Sequence, residues 1–473
     1  MKTYSRFYAD GTYLPCTGAT PIPVVDPASE DKIAEVVPCS LADLDRAASS
    51  AQRALEIWST STPDERKQTL QRLAVALETR SEAFAEVLAT EMGCPRWLSK
   101  LMQVSMPLKN LEFTVAGINQ IQWTETVGNG VVERVPVGVI AAITPWNFPL
   151  HQIVAKVAGA LAAGCTVVMK PSEVAPGAAL LFMEAACEAG IPEGVVNLIW
   201  GGPEIGVGLV NHPAVDQISF TGSTAIGRRI MAAAADGLKR VTLELGGKSA
   251  AVLLPDADLE AALPVVARLS MANSGQACVS QSRLIAPRSL MSEIVERLAE
   301  ILRGWPLGDP LDEATRLGPV ATHAQFVRVN SMIQQASQQG ACLRIGGSGR
   351  ASGFSKGWYC APTLFSDVTS HMELAQAEVF GPVLAIMPYD NEAEALALAN
   401  ATRYGLSGAV WSRDKERASS FARKMKTGQV VINGAAQNLA TPFGGMGDSG
   451  FGRENGRFGI EECLTYRSLH GAA

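Results

Sequence analysis

Nine cysteines supply the candidate nucleophiles of this chain. They are odd in number and include no CxxC pair, a pattern that suits neither a disulfide framework nor a zinc site, so we expect free thiols and no metal centre. A thiolate is a strong nucleophile, but most free cysteines are small buried hydrophobes, and the local sequence must separate the two cases. The cysteines are Cys16, Cys39, Cys94, Cys165, Cys187, Cys278, Cys342, Cys360 and Cys463.

Glycine-rich segments raise the question of phosphate binding, yet two common fingerprints are absent. Gly247-Lys248-Ser249 matches the end of a P-loop, but Thr242 stands where the first glycine is required. The segment Gly201–Gly206 lacks the G-x-G-x-x-G spacing of the dinucleotide fold. Between Phe220 and Gly227 a strand ends and a helix begins, with Ser223 as its cap. Because helix N-termini attract phosphate, this last segment predicts either a phosphate cradle or an ordinary capped helix.

Six further motifs extend over nearly the whole chain. They are Thr144-Pro145-Trp146-Asn147-Phe148-Pro149, Met169-Lys170-Pro171-Ser172-Glu173, Leu243-Glu244-Leu245-Gly246-Gly247-Lys248, Gly275-Gln276-Ala277-Cys278-Val279, Glu378-Val379-Phe380-Gly381-Pro382, and Asn433 with Pro442-Phe443-Gly444-Gly445. Together, in this order and spacing, they resemble the NAD(P)-dependent aldehyde dehydrogenase superfamily, and its non-acylating, hydrolytic branch in particular.

The resemblance implies oxidation of an aldehyde to a carboxylic acid through a thioester. Hydride can leave only from a carbon that carries an oxyanion, so a nucleophile must add first. By resemblance Cys278 is that nucleophile, Asn147 binds the oxyanion and Glu244 is the general base, with Lys170 included among the catalytic residues. A free thiol, with a pKa of about 8.5, needs activation at neutral pH. Burial would raise the pKa of the base toward that range.

Each catalytic candidate also has a plainer explanation when it is taken alone. Cys278 could be a buried core thiol, Asn147 a turn residue between two prolines, and Glu244 a salt-bridged carboxylate at a strand end. Their occurrence together favours catalysis.

The resemblance also implies a dinucleotide site. Lys170 and Glu173 are expected at the adenosine ribose, and Glu378 with Phe380 at the nicotinamide ribose. Glu173 favours NAD over NADP because its carboxylate would repel a 2′-phosphate, although the nearby Lys170 keeps NADP as a second cofactor. The expected cofactor-binding residues are Thr144, Pro145, Trp146, Lys170, Ser172, Glu173, Gly202, Gly206, Phe220, Gly222, Ser223, Ile226, Leu245, Gly246, Glu378 and Phe380.

Small residues predict a wide, apolar substrate tunnel. Ala155 stands where some members of the family carry tryptophan, and the loop between Asn433 and Pro442 contains no aromatic residue. Such a tunnel favours a bulky hydrophobic or aromatic aldehyde, because each buried methylene contributes about 0.8 kcal/mol. The expected tunnel residues are Phe148, Ala155, Ala277, Val279, Ala436 and Phe443.

Two alternative functions are compatible with the same set of motifs. The first is a CoA-acylating aldehyde dehydrogenase, against which Glu244 argues, since that branch generally lacks the base. The second is a non-catalytic dinucleotide-binding protein of the same fold, which the joint presence of Cys278, Glu244 and Asn147 disfavours.

Hydrophobic periodicity indicates the elements that position these residues. Helical spacing occurs in Asp43–Leu55, Pro63–Glu91 and Met102–Gly117, and Gly128-Asn129-Gly130 predicts a hairpin within residues 121–136. From Gly138 onward, apolar runs alternate with helical stretches, which is typical of a doubly wound parallel sheet. The apolar runs are Val139–Ile143, Thr166–Met169, Val195–Ile199, Gln217–Phe220 and Ala250–Leu254.

We therefore expect an α/β protein in three parts. A Rossmann-like parallel-sheet domain for NAD(P) comprises residues 1–113 and 137–246, a second α/β domain carrying Cys278 comprises 247–452, and a small β-hairpin arm comprises 114–136 and 453–473. In the family a protruding hairpin pairs with a neighbouring subunit, so a homodimer or homotetramer is expected.

Composition restricts the partners. The formal net charge of the 473 residues is −6, with no block of Lys and Arg to neutralise nucleic acid. No stretch approaches 18 uninterrupted apolar residues, and the first ten residues lack the apolar core of a signal peptide. We expect a cytoplasmic enzyme that acts on a small-molecule aldehyde and binds neither nucleic acid nor membrane.

Overall fold

A computed structural model describes residues 2–472. Its strands are short, and those at the centres of the two large sheets are buried on both faces. They are β1 (Lys2–Tyr4), β2 (Arg6–Ala9), β3 (Thr12–Pro15), β4 (Ile22–Val25), β5 (Lys32–Val36), β6 (Thr124–Val127), β7 (Gly130–Pro136), β8 (Val139–Ile143), β9 (Thr166–Lys170), β10 (Val196–Leu198), β11 (Gln217–Thr221), β12 (Arg240–Glu244), β13 (Ala250–Leu253), β14 (Arg283–Pro287), β15 (Cys342–Ile345), β16 (Thr363–Ser366), β17 (Val383–Tyr389), β18 (Tyr404–Gly405), β19 (Ser407–Trp411), β20 (Gln429–Ile432), β21 (Met446–Gly447), β22 (Gly450–Phe451) and β23 (Leu464–His470).

The helices include a π-helical turn at Ser99–Val104 and 3₁₀ turns at Ala272–Gly275 and Arg288–Leu290. The α-helices are α1 (Leu41–Trp58), α2 (Pro63–Glu78), α3 (Ser81–Met92), α4 (Arg96–Leu98), α5 (Ser105–Ile118), α6 (Pro149–Ala163), α7 (Gly177–Glu188), α8 (Pro203–Asn211), α9 (Thr224–Asp236), α10 (Leu259–Met271), α11 (Met291–Arg303), α12 (His323–Gln338), α13 (Glu373–Gln376), α14 (Glu392–Ala399), α15 (Lys415–Ala422) and α16 (Gly456–Glu462).

An eight-stranded sheet holds four of the five predicted apolar runs, in the order β22-β12-β11-β8-β9-β10-β2-β3. Its five central strands, β12 to β10, are parallel. The chain runs from β8 outward to β9 and β10 and then returns to β11 on the other side of β8. Such a reversal leaves a crevice at the carboxyl ends of the two central strands, where ligands bind in open α/β sheets.

The fifth predicted run, Ala250–Leu253, lies in a second sheet instead. Its order is β15-β16-β17-β14-β13-β19-β20, and all of its pairs are parallel except β15 with β16. This strand falls within residues 247–452, which were expected from the sequence to form the second α/β domain.

The predicted hairpin forms β6 and β7, and β23 pairs antiparallel with β7 along seven residues. The neighbouring helices do not belong to this sheet: α16 packs on α5 and α6, where backbone approach is so close that a Cβ on Gly159 would lie 2.9 Å from the carbonyl oxygen of Gly459. Residues 114–118 and 456–462, expected in the arm, are therefore helical residues packed beside the eight-stranded sheet.

The predicted helix over residues 63–91 is two helices. α2 begins with a capping box between Thr62 and Glu65, and the chain turns at Thr79 and Arg80 before α3. The helix α6 begins with Pro149 at its first turn, directly after the motif that carries Asn147, and is buried along almost its whole length. A helix that is buried all round is held rigidly by its neighbours, which fixes the direction of the loop before it.

Candidate active site

A strained loop carries Cys278. Three consecutive residues before it, Asn273, Ser274 and Gly275, have φ values of 54°, 54° and 73°, in the left-handed region. Gly275 is required here because a Cβ would lie 2.0 Å from the carbonyl oxygen of Gly381. Backbone strain persists only where surrounding contacts hold it, and it clusters at functional sites.

Hydrogen bonds from three parts of the chain hold this loop. Ser274 Oγ donates to the carbonyl oxygen of Gly318 at 2.8 Å, and Gln276 Oε1 accepts from the amide of Ala321 at 2.8 Å. Asn273 Nδ2 donates to the carbonyl oxygen of Asn147 at 3.0 Å. The loop is therefore fixed against the segment before α12 and against the segment that links β8 to α6.

Asn147, whose carbonyl oxygen accepts from Asn273 Nδ2, also contacts the loop of Cys278 through its side chain. Its side chain is buried, and Nδ2 donates to the carbonyl oxygen of Gln276, two residues before Cys278, at 3.0 Å. Its carbonyl oxygen also accepts from Gln103 Nε2 at 2.8 Å. The amide expected to bind an oxyanion is thus tied directly to the loop that carries the thiol.

Glu244 ends β12 as a buried carboxyl, 2% exposed, and neither of its oxygens has a hydrogen-bond partner in the protein. Burial and the neighbouring Glu454 raise its pKa well above the ordinary range, while Lys156 and Arg453 partly oppose the rise. A Cβ on Gly444 would lie 2.8 Å from Glu244 Oε1, so the glycine leaves room for the carboxyl group. An unpaired carboxyl with a raised pKa is suited to taking a proton near neutral pH.

A buried ion pair accompanies Glu244. Lys156 Nζ lies 2.6 Å from Glu454 Oε1, and the two side chains are 0% and 5% exposed. Ala155 lines the same small cavity, together with Gln217 and Thr242. Ala155 lies beside Glu454 and, like the other expected tunnel residues, does not border the cleft at Cys278, so its tunnel role stays a prediction.

The Cys278 thiol is half-buried at the edge of a cleft of about 1130 Å³. Burial, then Glu378 and Glu244, raise the pKa of this thiol. Trp146 and Phe380 meet edge to face across the cleft, with ring centroids 5.5 Å apart. The expected residues that border the cleft are Pro145, Trp146, Asn147, Gly222, Ser223, Leu245, Gly246, Cys278, Glu378 and Phe380.

Glu378 approaches the glycine pair that follows Glu244. Its Oε1 accepts from the amide of Gly247 at 3.0 Å, and a Cβ on Gly246 would lie 2.4 Å from Oε2. Burial raises the pKa of Glu378 to about 7. Gly246 therefore leaves room for Glu378, which lies between α13 and β17, at the crevice of the first sheet.

A second cleft, of about 880 Å³, lies beyond the ends of β8, β9 and β11 and is mainly apolar. Lys170 Nζ and Glu173 Oε1, 2.7 Å apart, form its polar corner. Lys170 borders this cleft and not the one at Cys278, and its expected catalytic role stays a prediction. The expected residues found here are Lys170, Glu173, Gly202, Gly206, Phe220 and Ile226.

Thr144, Ser172 and the expected tunnel residues border neither cleft. Thr144 is buried and donates its amide to the carbonyl oxygen of Lys170 at 3.1 Å, whereas Ser172 Oγ accepts from Val174. Among the expected tunnel residues, Phe148 and Ala277 are buried, Val279 and Phe443 are half-buried, and Ala436 is exposed.

Within residues 2–472, no group of three or more His, Cys, Asp or Glu is placed to hold a metal, and no helix is long and apolar enough to span a bilayer.

The family model described as the aldehyde dehydrogenase family matches residues 13–469, nearly the whole chain. The chain belongs to the aldehyde dehydrogenase family. Membership of this family confirms the α/β fold class expected from the sequence. It also confirms the expected enzyme class, a dehydrogenase that oxidises an aldehyde with a nicotinamide dinucleotide.

Similar family members with a stated substrate include two bacterial enzymes. A 3-succinoylsemialdehyde-pyridine dehydrogenase of a Pseudomonas species is 43% identical, with 100% of this chain and 99% of the relative covered. The geranial dehydrogenase of Castellaniella defragrans is 40% identical, with 94% of each chain covered.

Solved structures share the whole fold. An aldehyde dehydrogenase of Pseudomonas syringae, in complex with NAD+ and octanal and with one cysteine replaced by alanine, has a TM-score of 0.98 and 42% identity. It covers 99% of this chain and 97% of its own. An aldehyde dehydrogenase of Mycobacterium tuberculosis in complex with NAD+ has a TM-score of 0.97 and 38% identity, with 99% and 98% covered.

Sequence reasoning missed several polar side chains of this aldehyde dehydrogenase. Gln325, Arg328, Arg403 and Tyr404 border the cleft at Cys278. Gln325 Nε2 donates to the carbonyl oxygens of Val379 and Phe380, at 2.9 and 2.8 Å. These four residues lie outside the recognised motifs, and nothing in their local sequence distinguishes them from solvated surface residues.

Proposed function

We propose that this aldehyde dehydrogenase oxidises bulky apolar aldehydes to carboxylic acids with NAD+, through a thioester on Cys278. The bond from Asn147 Nδ2 to the carbonyl oxygen of Gln276 carries the proposal, because it fixes an amide donor against the loop of the thiol at the edge of one cleft.

Cys278 Sγ adds to the aldehyde carbon, and Glu244 takes the thiol proton. This activation is needed because the ligand-free surroundings raise the pKa of the thiol. The side-chain amide of Asn147 and the amide of Cys278 then donate to the oxyanion, a contribution of about 3–4 kcal/mol per donor to the transition state.

Bound NAD+ supplies the hydride acceptor. Glu244 first releases the thiol proton to solvent. It then takes a proton from water, whose oxygen attacks the acyl carbon of the thioester on Cys278 as the sulfur leaves as a thiolate. The overall balance is aldehyde, NAD+ and water giving carboxylic acid, NADH and a proton. The Lys156–Glu454 pair beside Glu244 offers that proton a polar route from the base.

The two clefts fit a dinucleotide. The apolar cleft with Lys170 and Glu173 at its corner suits adenosine, and Gly246 leaves room for Glu378 in the cleft at Cys278. Ser223 caps α9, so the N-terminus of that helix would face the phosphates. Glu173 supports a preference for NAD over NADP.

The substrate class follows from the expected tunnel residues and from the relatives. Ala277, Val279 and Ala436 are small beside the nucleophile and the C-terminal loop. The relatives are named for geranial and for a pyridine-bearing semialdehyde, and one was solved with octanal. No relative described above supports the CoA-acylating or the non-catalytic alternative.

We also propose the three-part organisation expected from the sequence, with the sheet of β6, β7 and β23 as the arm that joins subunits into a homodimer or homotetramer. The fully exposed edge strand β6 supports this role, since unpaired strand edges invite pairing with another chain. A cytoplasmic location stays a prediction.

Replacement of the nucleophile tests the proposal. Cys278→Ala should abolish NADH production from octanal while NADH binding, followed by fluorescence, stays within about twofold of wild type, since the thiol does not hold the dinucleotide. Release of octanoic acid by the wild-type enzyme without CoA should accompany turnover. Turnover by the variant, or a requirement for CoA, would overturn the proposal.

A further inference from the structure

Two cysteines far from Cys278 lie in contact. The sulfur atoms of Cys16, after β3, and Cys39, before α1, are 3.8 Å apart. Cys16 is half-buried and therefore reachable from solvent, whereas Cys39 is 3% exposed. Neither thiol has a part in the proposed catalysis.

The two backbone segments that carry these cysteines are tied together. The amide of Gly18 donates to the carbonyl oxygen of Pro38 at 3.0 Å, and a Cβ on Gly18 would lie 2.4 Å from that oxygen. Thr17 donates from its amide to Asp43 Oδ2 at 2.8 Å and from its hydroxyl to Ser40 Oγ at 2.7 Å. A disulfide needs its sulfurs about 2.05 Å apart, so side-chain rotation on a fixed backbone has to close the remaining gap.

Cys39 also supports a wall of the apolar cleft. Its amide donates to the carbonyl oxygen of Trp200 at 2.8 Å, and the amide of Trp200 donates back to Cys39 Sγ at 3.4 Å. Trp200 stands two residues before Gly202, which lines the cleft with Pro203 and Gly206. Movement of Cys39 Sγ toward Cys16 would remove the acceptor from the Trp200 amide.

We propose that hydrogen peroxide converts Cys16 and Cys39 into a reversible disulfide, and that this bond weakens dinucleotide binding by releasing Trp200. The linkage itself is independent of the proposed function, whereas its effect on binding rests on the proposed cofactor cleft.

Cys16 is the thiol that reacts first. Contact with Cys16 and burial raise the pKa of the Cys39 thiol, and only Cys16 is open to solvent. The Cys16 thiolate attacks one peroxide oxygen, the O–O bond breaks, and a sulfenic acid and water result. Cys39 sulfur then attacks the Cys16 sulfur, the S–O bond breaks, and a second water leaves. The two thiols lose two electrons and two protons, and the peroxide is reduced to two waters.

Peptide mapping of the full-length enzyme tests the linkage directly. Trypsin places Cys16 in the peptide 7–32 and Cys39 in the peptide 33–46. After peroxide treatment and blocking of free thiols, the two peptides should appear joined, and dithiothreitol should separate them. Cys39→Ser should give no joined peptide and should leave Cys16 to oxidise to sulfinic acid. Cys187→Ser, which removes an exposed cysteine elsewhere, should change nothing. Sulfinic acid on Cys16 of the wild-type enzyme without a joined peptide would overturn the proposal.

NADH fluorescence tests the coupling without relying on Cys278, which peroxide also attacks. The oxidised enzyme should bind NADH about fivefold more weakly, the low end of ordinary allosteric coupling, and dithiothreitol should restore the affinity. Peroxide should not alter the Kd of Cys16→Ser. A joined peptide with an unchanged Kd for NADH would overturn only the proposed effect of the disulfide on binding. If the untreated enzyme failed to bind NADH, the cofactor assignment itself would be wrong.

Discussion

Lys156 Nζ contacts Glu454 Oε1 at 2.6 Å, and this buried ion pair lies next to the carboxyl proposed as the catalytic base. Its two members act on that carboxyl in opposite directions. Glu454 raises the pKa of Glu244, because a second negative charge disfavours ionisation, and Lys156 lowers that pKa. Burial is the largest cause of the raised pKa of Glu244, and the two members of the pair adjust that pKa further in opposite directions.

The first prediction is that the two partners shift the pH profile in opposite directions. A base works only when it is ionised, so kcat falls as the pH drops through the pKa of Glu244. Glu454→Gln removes one cause of the raised pKa, and the acidic limb of the profile should move to lower pH. Lys156→Met removes an opposing charge and should move that limb to higher pH. Profiles of kcat against pH check this, and movement of both limbs in one direction would contradict it.

The second prediction concerns stability. For this test Lys156→Met or Glu454→Met alone leaves one buried charge without its partner, which costs about 3–5 kcal/mol. The double variant Lys156→Met/Glu454→Met leaves no charge unpaired and should recover most of the loss in Tm. Thermal unfolding of the four proteins forms a complete cycle. Additive losses in the double variant would show that the ion pair contributes no coupling.

The third prediction is that Glu244→Gln folds but does not turn over. The amide cannot accept a proton from thiol or water, so kcat should fall by about 100-fold or more. If hydrolysis is the step that fails first, mass spectrometry after a brief exposure to octanal and NAD+ should find the acyl group on Cys278. The control is Glu462→Gln. Glu462 also raises the pKa of Glu244, but it is not the proposed base. Wild-type kcat in Glu244→Gln would mean that another residue is the base.

The fourth prediction is a preference for NAD that depends on Glu173. Its carboxylate, 2.7 Å from Lys170 Nζ, lines the apolar cleft, where it would repel a 2′-phosphate. Glu173→Gln should raise kcat/KM for NADP by about tenfold, since specificity here rests on a repulsive charge. Glu204→Gln is a matched control, because that carboxylate stands on α8 but outside the cleft lining. A wild-type enzyme that uses NADP as well as NAD would contradict the assignment.

The sequence predicted those parts of the fold that follow from local pattern. Alternating apolar runs and helical stretches indicated the parallel strands on which Asn147, Glu244 and the glycines at 222 and 246 depend, and the Gly128-Asn129-Gly130 turn indicated the hairpin. It did not detect the N-terminal strands β1 to β5, because strands of three to five residues are too short to show a clear apolar period.

The same limit applies to the site. Motifs located Asn147, Cys278, Glu244 and Glu378, but the residues that hold or tune them come from elsewhere in the chain. Gln103 lies on the π-helical turn before α5, and Glu454 lies beyond β22. Buried polar side chains of this kind acquire their partners only on folding, so periodicity gives no sign of them.

The last prediction concerns substrate size and separates Val279 from Ala155. Val279 follows the nucleophile directly and is half-buried, whereas Ala155 lines the small cavity with Glu454. The kcat/KM for octanal should exceed that for acetaldehyde by about 50-fold if three of the additional methylenes of octanal are buried, at about 0.8 kcal/mol each. Val279→Trp should fill the space beside Cys278 and lower kcat/KM for octanal far more than for acetaldehyde. Ala155→Trp should instead lower both values alike, because overpacking that cavity disturbs the Lys156–Glu454 pair and not the tunnel. Higher kcat/KM for acetaldehyde than for octanal in the wild-type enzyme would contradict the proposed substrate class. A selective loss of octanal activity in Ala155→Trp would show that Ala155 lines the substrate tunnel.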